Sequence, residues 1–121
     1  MSLIDIYPSL LDFAGFDIPK WSDGHSIKPQ FTDHDSPRPP AISSYGEGNT
    51  SIRTQHWRYI HYEDGSEELY DHRVDPDEWV KKASNPEHSK LKKQLSKLIP
   101  ENQHPGLKVR DWIEKFQEKP E

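Results

Sequence analysis

The sequence contains no cysteine among its 121 residues. This absence excludes a disulfide, a thiolate metal site and a thiol nucleophile anywhere in the chain. Cysteine usage therefore leaves the redox compartment open, and any nucleophile or metal site would have to be built from other side chains.

Apolar residues are also scarce. Hydrophobic residues make up 31% of the chain, and the six glycines raise the apolar share to about 36%, against a usual share of roughly 45–50%. Such a chain is either partly disordered or a piece of a larger protein whose core lies elsewhere. Its aromatic content of 11% favours the second interpretation, because disordered segments are usually poor in aromatic residues.

Charge and hydropathy exclude two classes of partner. A formal net charge of -5 does not suit a nucleic-acid-binding protein, which normally carries a basic face, so we expect no nucleic-acid partner. We also expect no membrane partner, since no apolar run approaches the roughly 20 residues that span a bilayer. Residues 1–3 lead directly into a helix-like stretch, which predicts no signal peptide and indicates a truncated piece.

Residues 2–15 are predicted to form a helix. Its apolar stripe consists of Leu3, Ile6, Leu10, Leu11, Phe13 and Ala14. Pro8 is tolerated only in a first turn, which favours Asp5 as the N-cap, and Gly15 suits the position after the helix. So much apolar surface on a short helix predicts a partner surface outside this chain.

Residues 16–40 are predicted to form a long connection rich in proline, with Trp21, Ile27 and Phe31 holding it down at intervals. Its length exceeds the ~12–15 residues that are usual for connections without regular structure. We expect it to be functional or to lie over another domain.

An antiparallel meander is predicted next, with strands at residues 41–45, 51–54, 56–62 and 67–72. The third strand alternates with a period of two. Its two faces would carry Trp57, Tyr59 and His61 on one side, and Arg58, Ile60 and Tyr62 on the other. Large side chains on both faces predict that both are covered.

A second helix is predicted over residues 85–100, with Asn85 as its cap and Pro86 at its first position. Its apolar stripe consists of Leu91, Leu95, Leu98 and Ile99, with lysines on the opposite face. The tail 101–121 carries Val109, Trp112, Ile113 and Phe116 at helical spacing, which gives a weaker prediction of a helix.

The polar side chains do not predict a catalytic or metal site. His56 and His61 lie five residues apart on one strand and would point to opposite faces, so they cannot converge on a metal ion. The tripeptide 36–38 (Ser-Pro-Arg) lacks the spacers of the nucleophile motif C/S-x-P-x-R. Residues 49–51 match the short N-glycosylation pattern. The acidic residues at 67–68 and 75–78 are expected to be solvated or to cap turns.

The turn Gly46-Glu47-Gly48-Asn49 is the candidate ligand-binding segment. Its two glycines let the backbone adopt positive φ and approach a ligand closely. Tyr45, Glu47 and Asn49 offer hydrogen-bonding groups beside them. The alternative interpretation is a hairpin turn with no ligand.

Five segments, taken in order, resemble the C-terminal part of the type I sulfatases. These formylglycine-dependent enzymes belong to the alkaline-phosphatase superfamily. The segments are SLIDIYPSLLDFAG at 2–15, DGHSI at 23–27, SIRT with WRYI within 51–60, EELYD at 67–71 and DPDE at 75–78. The sequence is similar most of all to the branch of iduronate and choline sulfatases. It departs from the family where Val80-Lys81-Lys82 replaces a frequent Asn-Leu pair.

The resemblance implies a parent enzyme that hydrolyses a sulfate ester through a formylglycine hydrate and a covalent sulfo-enzyme. In the family a divalent cation, usually calcium, and the formylglycine residue lie upstream of the helix that opens this sequence. None of these groups maps onto this chain, so we expect no catalytic residue, no metal ligand and no cofactor here. A periplasmic or secreted location is also implied for the parent.

The resemblance and the patterns together predict an α+β fold. A small antiparallel sheet of about four strands would carry a C-terminal helix, and residues 41–100 would form the sulfatase C-terminal subdomain. Residues 1–40, the N-terminal helix and long loop, would pack on the missing α/β domain, and 101–121 would be a tail.

We therefore expect a structural subdomain of a sulfatase that borders its substrate cleft with Tyr45, Glu47 and Asn49. Its partner would be the N-terminal catalytic domain, and the parent would act on a sulfated small molecule or glycan. Alone, the chain should be inactive and should self-associate. The alternative is a free-standing binding module without an enzymatic role.

Overall fold

The computed structural model describes residues 2–101 and 103. The fold is α+β, as predicted, with a four-stranded sheet whose strands follow chain order. The chain divides into two compact units, one ending at Ala41 and the other beginning at Ile42.

The first unit opens with a 3-10 turn, Leu3–Asp5, which runs into helix α1, Ile6–Phe13. Asp5 occupies the N-cap position of α1, but its carboxylate accepts from the backbone N–H of Ser2 at 2.6 Å instead of capping that helix. Pro8 lies in the first turn of α1, where its missing N–H removes no helical hydrogen bond.

Gly15 ends the helical stretch with φ +79. The N–H of Phe16 reaches back to the carbonyl of Leu11 at 2.9 Å, and that of Gly15 to Asp12 at 3.2 Å. This pair of bonds satisfies the last helical carbonyls and requires the left-handed backbone that glycine adopts without strain.

Polar contacts hold the following loop against α1. The carboxylate of Asp12 accepts from Ser26 Oγ at 2.5 Å and from Lys28 Nζ at 3.0 Å. Ser9 Oγ accepts from the N–H of Ile27 at 3.1 Å. The segment predicted as a structureless connection also contains a short helix, α2, Lys28–Thr32, which Pro29 starts by fixing φ in its first turn.

The first unit has no apolar core of its own. Among residues 2–41 only Pro8, Ser9 and Gly24 are buried. Its large exposed apolar side chains are Leu3, Ile4, Ile6, Tyr7, Leu10, Phe13, Phe16, Ile18, Trp21 and Phe31. Polar bonds and aromatic pairs, such as Tyr7 stacked on Trp21 at 5.6 Å, maintain its shape instead.

The second unit contains the sheet. Its strands are β1, Ala41–Ser44, β2, Thr50–Arg53, β3, Trp57–His61, and β4, Glu67–Asp71. Strands β2, β3 and β4 pair antiparallel. Each observed strand agrees with its prediction to within about one residue at either end, although His56 and Tyr62 lie just outside β3.

One cross-strand row forms the centre of the core. Ile52 lies opposite Tyr59, which lies opposite Leu69, and all three are 0% exposed. Leu95 from helix α3, Ser89–Ser96, packs on this row. The prediction that the C-terminal helix packs on the sheet is confirmed, and the face that it covers is the one carrying Trp57 and Tyr59.

The C-terminal helix is shorter than predicted. Asn85 accepts from the N–H of Glu87 at 3.0 Å, as expected of a cap, but the turn Pro86–His88 that follows is a 3-10 helix. Past α3, Leu98 and Ile99 bond three residues back, so the last turn tightens before Pro100. The helix predicted within residues 104–121 lies outside the described residues.

Candidate functional site

The loop between β1 and β2 holds the three candidate residues Tyr45, Glu47 and Asn49. The N–H of Tyr45 donates to the carbonyl of Asn49 at 2.9 Å, which closes the loop. Gly46 and Gly48 have φ of 65 and 81, the left-handed region predicted for this turn. We call residues 45–49 the hairpin tip.

The side chain of Asn49 is engaged inside the hairpin tip. Its Nδ2 donates to the carbonyl of Glu47 at 3.2 Å, and its Oδ1 accepts from the N–H of Glu63 at 3.3 Å. Gly48 makes this approach possible, because a Cβ at that position would lie 2.9 Å from the Cα of Glu63. Both polar atoms of the Asn49 side chain therefore stabilise the loop, and binding a ligand would compete with these hydrogen bonds.

Two side chains anchor the backbone of Gly48. Its N–H donates to Gln103 Oε1 at 2.7 Å, and Gln103 Nε2 donates in turn to Thr50 Oγ1 at 3.1 Å. The ring of His61 lies 3.1 Å from the Gly48 carbonyl, which requires a proton on Nδ1. Gln103 was missed from the sequence, since a glutamine in a polar tail carries no signal of a contact 55 residues away.

The exposed side chains at the hairpin tip are those of Tyr45, 71% exposed, and Glu47. A shallow open cavity of about 520 Å³ lies beside Asn49 and is lined by Asn49, Tyr62, Glu63 and Asp64. Hydrogen bonds from Ser66 hold the pKa of Asp64 below its usual range. The tyrosine ring and the two carboxylates of this lining can bind hydroxyl groups, but they supply no nucleophile.

The acidic pair Glu67 and Glu68 does not work as an acid–base pair. Consecutive strand residues point to opposite faces of the sheet. Glu67 accepts from Tyr59 Oη at 2.6 Å and from Lys92 Nζ at 2.6 Å on the helix side. The hydrogen bond from Lys92 lowers the pKa of Glu67. Glu68 accepts from Tyr70 Oη at 2.8 Å on the other face of the sheet.

An ion network occupies the face of the sheet opposite α3. Arg53 and Arg58 are direct cross-strand partners, and the carboxylate of Glu78 lies 3.0 Å from Arg58 Nη1 and 3.8 Å from Arg53 Nη1. Glu78 has φ 61, which positions its carboxylate at the cost of left-handed backbone. This carboxylate, expected to be solvated, is instead the centre of the network.

His72 completes this network. Its Nε2 lies 2.6 Å from Glu78 Oε1 and 2.9 Å from Arg53 Nη1. A guanidinium only donates and a carboxylate only accepts, so the shorter contact places the ring proton on Nε2, pointing to Glu78. The Nδ1 atom is buried and has no hydrogen-bond partner among the described residues.

The two histidines weighed for a metal site do not converge. His56 lies exposed at a bend, and its carbonyl accepts from the N–H of His72 at 2.8 Å, while the His61 ring contacts Gly48. Within residues 2–101 and 103, no three His, Asp or Glu side chains are arranged to hold a metal ion. No helix in this same part of the chain is long and apolar enough to cross a membrane.

Comparison with known proteins relates the chain to one family. Residues 1–105 match the family described as N-sulphoglucosamine sulphohydrolase, C-terminal. A sulfatase of Formosa agariphila is 32% identical over 101 residues, which cover 83% of this chain and 20% of that protein. Human arylsulfatase K is 38% identical over 94 residues, which cover 64% of this chain and 18% of that protein.

The fold comparison agrees. A solved 2-O GAG sulfatase superimposes with a TM-score of 0.64 at 25% identity, covering 94% of this chain and 25% of that one. The chain spans only about a fifth of the length of the curated relatives it matches.

Proposed function

The chain belongs to the family of N-sulphoglucosamine sulphohydrolase C-terminal domains, and we propose that it serves a sulfuric ester hydrolase as a docked, non-catalytic subdomain. The observation that carries this proposal is the exposed apolar surface of the first unit. The comparisons support it, because about four fifths of each relative's length has no counterpart in this chain.

The surface of the first unit suits a permanent apolar partner. Leu3, Trp21 and Phe31 are 81%, 72% and 72% exposed, although side chains of this kind are usually covered. Burying each of them would contribute roughly 1.5–3 kcal/mol. The proposed occupant is the N-terminal α/β catalytic domain of the parent, so residues 1–40 would belong to the edge of that domain.

The second unit offers another docking surface near Glu78. Trp79 is 84% exposed, Val74 is 71% exposed and Val80 is 58% exposed. Tryptophan and arginine are the residue types enriched at the energetic centres of protein interfaces. A partner over Trp79 and Arg53 would cover the sheet face opposite α3, in agreement with the prediction that both faces are covered.

The hairpin tip is proposed to border the substrate cleft of the parent. Tyr45 and Glu47 are its exposed side chains, and Asn49 fixes the loop that presents them. The substrate proposed for the parent is a sulfated small molecule or glycan, and a periplasmic or secreted location accompanies this proposal. The finer assignment to the branch of iduronate and choline sulfatases also stays a proposal.

The family's cofactors do not fit this chain. A formylglycine residue needs a Cys or Ser precursor in the motif C/S-x-P-x-R, and the only similar segment, Ser36-Pro37-Arg38, lacks its spacers. Among the described residues, Glu67, Glu78 and Asp75 are engaged with Lys, Arg or backbone groups, and no three His, Asp or Glu side chains are arranged to hold a metal ion. We therefore assign formylglycine and a divalent cation, calcium in the family, to the catalytic domain and derive no chemical step here.

A chimera tests the docking function. The matching C-terminal region of the Formosa agariphila sulfatase would be replaced by this chain, and hydrolysis of an aryl sulfate would be measured. We expect the chimera to be active, a version truncated before this region to be inactive, and the isolated chain to release no sulfate.

Two variants of the chimera give a matched comparison. Leu10→Lys places a charge on the exposed apolar surface and should abolish activity, whereas His34→Lys adds the same charge at an exposed polar position and should retain it. Equal activity in both variants would refute docking through this surface. It would favour the free-standing module, for which the closed core around Tyr59 is the supporting observation.

A further inference from the structure

One face of helix α3 and its C-cap residue carries three lysines. Lys90, Lys93 and Lys97 recur at intervals of three and four residues, so they share a helix face. All three are exposed, while Leu91 and Leu95 on the opposite face pack toward the core. We call these three residues the lysine stripe.

The lysine stripe is not neutralised within the described part of the chain. Lys92 pairs with Glu67 and Lys81 pairs with Glu68, but no ion pair joins a member of the stripe to any described carboxylate. Residues 88–97 contain no acidic residue, in a chain whose formal net charge is -5. Surfaces of small domains usually intersperse both signs of charge, so this concentration is unusual.

We propose that the lysine stripe binds a sulfated polysaccharide, as an exosite of the parent enzyme. This inference rests on the proposed function, because it takes the parent to act on a sulfated glycan. At a rise of 1.5 Å per residue, the stripe is about 10 Å long, which suits several sulfates along a chain better than one ion.

Charge complementarity selects this surface over the hairpin tip. Lysine carries a compact charge that attracts sulfate without requiring a fixed geometry. The hairpin tip and its adjoining turn carry Glu47, Glu63 and Asp64, none of which forms an ion pair within the described residues. Those carboxylates suit the hydroxyl groups of a sugar but repel its sulfate groups, so the sulfates of an extended polyanion would be held at the stripe.

The experiment measures binding of a fluorescently labelled heparin octasaccharide to the full 121-residue chain by anisotropy, at several salt concentrations. Lys93→Gln with Lys97→Gln should weaken binding roughly tenfold or more and make the salt dependence shallower by about one to two in log–log slope, because fewer counterions are released. Adding Lys90→Gln should weaken it further.

The matched control is Lys20→Gln with Arg38→Gln. It removes the same charge from exposed positions of the first unit and should leave binding within about twofold, well below the effect of losing two ionic contacts. Equal losses in both double variants, or no binding by the wild-type chain, would overturn the proposal. Equally tight binding of a DNA oligonucleotide of the same charge would also overturn it, because the site would not select a sulfated polysaccharide.

The heparin-binding experiment and the chimera experiment test the two proposals independently. An active chimera whose lysine variants bind heparin normally would reject the exosite alone. An inactive chimera together with stripe-dependent heparin binding would reject the docking proposal and retain the lysine stripe as the site of a glycan-binding module.

Discussion

The carboxylate of Glu78 lies 3.0 Å from the guanidinium of Arg58, twenty residues away along the chain. The same carboxylate lies 3.8 Å from the guanidinium of Arg53. The antiparallel register places Arg53 and Arg58 directly opposite each other. Like charges in this position destabilise a sheet. The conformational cost of the left-handed backbone at Glu78, with φ 61, is therefore offset by the attraction between its carboxylate and the two arginines.

Glu78→Gln should lower the free energy of unfolding by roughly 1–3 kcal/mol, because it removes charge-assisted hydrogen bonds and leaves two facing arginines without a counter-charge. Urea denaturation followed by tryptophan fluorescence measures this change. Asp77→Asn is the matched control, since Asp77 is an exposed carboxylate in the same turn and should change stability by no more than about 0.5 kcal/mol. Equal effects of the two substitutions would contradict a specific role for Glu78.

Gly48→Ala should destabilise the chain more than Gly65→Ala. Both glycines have left-handed backbone, with φ +81 and +79, so both substitutions incur a conformational cost of about 1–2 kcal/mol. Only at position 48 does the new Cβ meet a neighbour, the backbone of Glu63 at 2.9 Å, whereas nothing lies within 4 Å at position 65. The difference between the two denaturation midpoints isolates the steric contribution, and no difference would refute the close approach.

Stability should fall as the pH is lowered from about 4 toward 2. The Arg73 side chain, which donates to Asp71 at 2.8 and 2.7 Å, lowers the pKa of Asp71 from 3.8 to about 2. Because the folded state binds a proton less readily than the unfolded state, this contribution is complete above the unfolded pKa. It is lost as the pH falls through the folded pKa.

Asp71→Asn should therefore flatten the pH dependence of the denaturation midpoint between pH 5 and 2. The wild-type chain and Asp77→Asn should keep the steeper slope. Identical pH profiles for Asp71→Asn and the wild type would show that the Asp71–Arg73 pair contributes nothing to acid stability.

The isolated chain should self-associate, because the large apolar side chains of the first unit are exposed. Sedimentation velocity should show dimers or larger species, and a hydrophobic dye should bind. Leu10→Lys together with Phe31→Lys should shift the distribution toward monomer, whereas His34→Lys should not. A wild-type chain that stays monomeric and binds no dye would count against an unpartnered docking face.

The sequence alone determined the order and type of the main elements. The period of two in residues 56–62 predicted that Tyr59 and Arg58 face opposite sides of a sheet. The spacing of Leu91 and Leu95 predicted the apolar face of the C-terminal helix, which the structure shows packed toward Tyr59. The short helix at Lys28–Thr32 was missed, since the surrounding prolines and polar residues are equally typical of a loop.

Only the tertiary structure decided which polar groups meet. Gln103 bonds to Gly48 across 55 residues, and Glu78 bonds to Arg58 across 20. It also showed that Asn49, a candidate ligand-binding residue, is engaged within its own loop. Hydrophobic periodicity is a local property that a short window of sequence records, whereas a polar contact depends on the path of the whole chain and on one rotamer at each end.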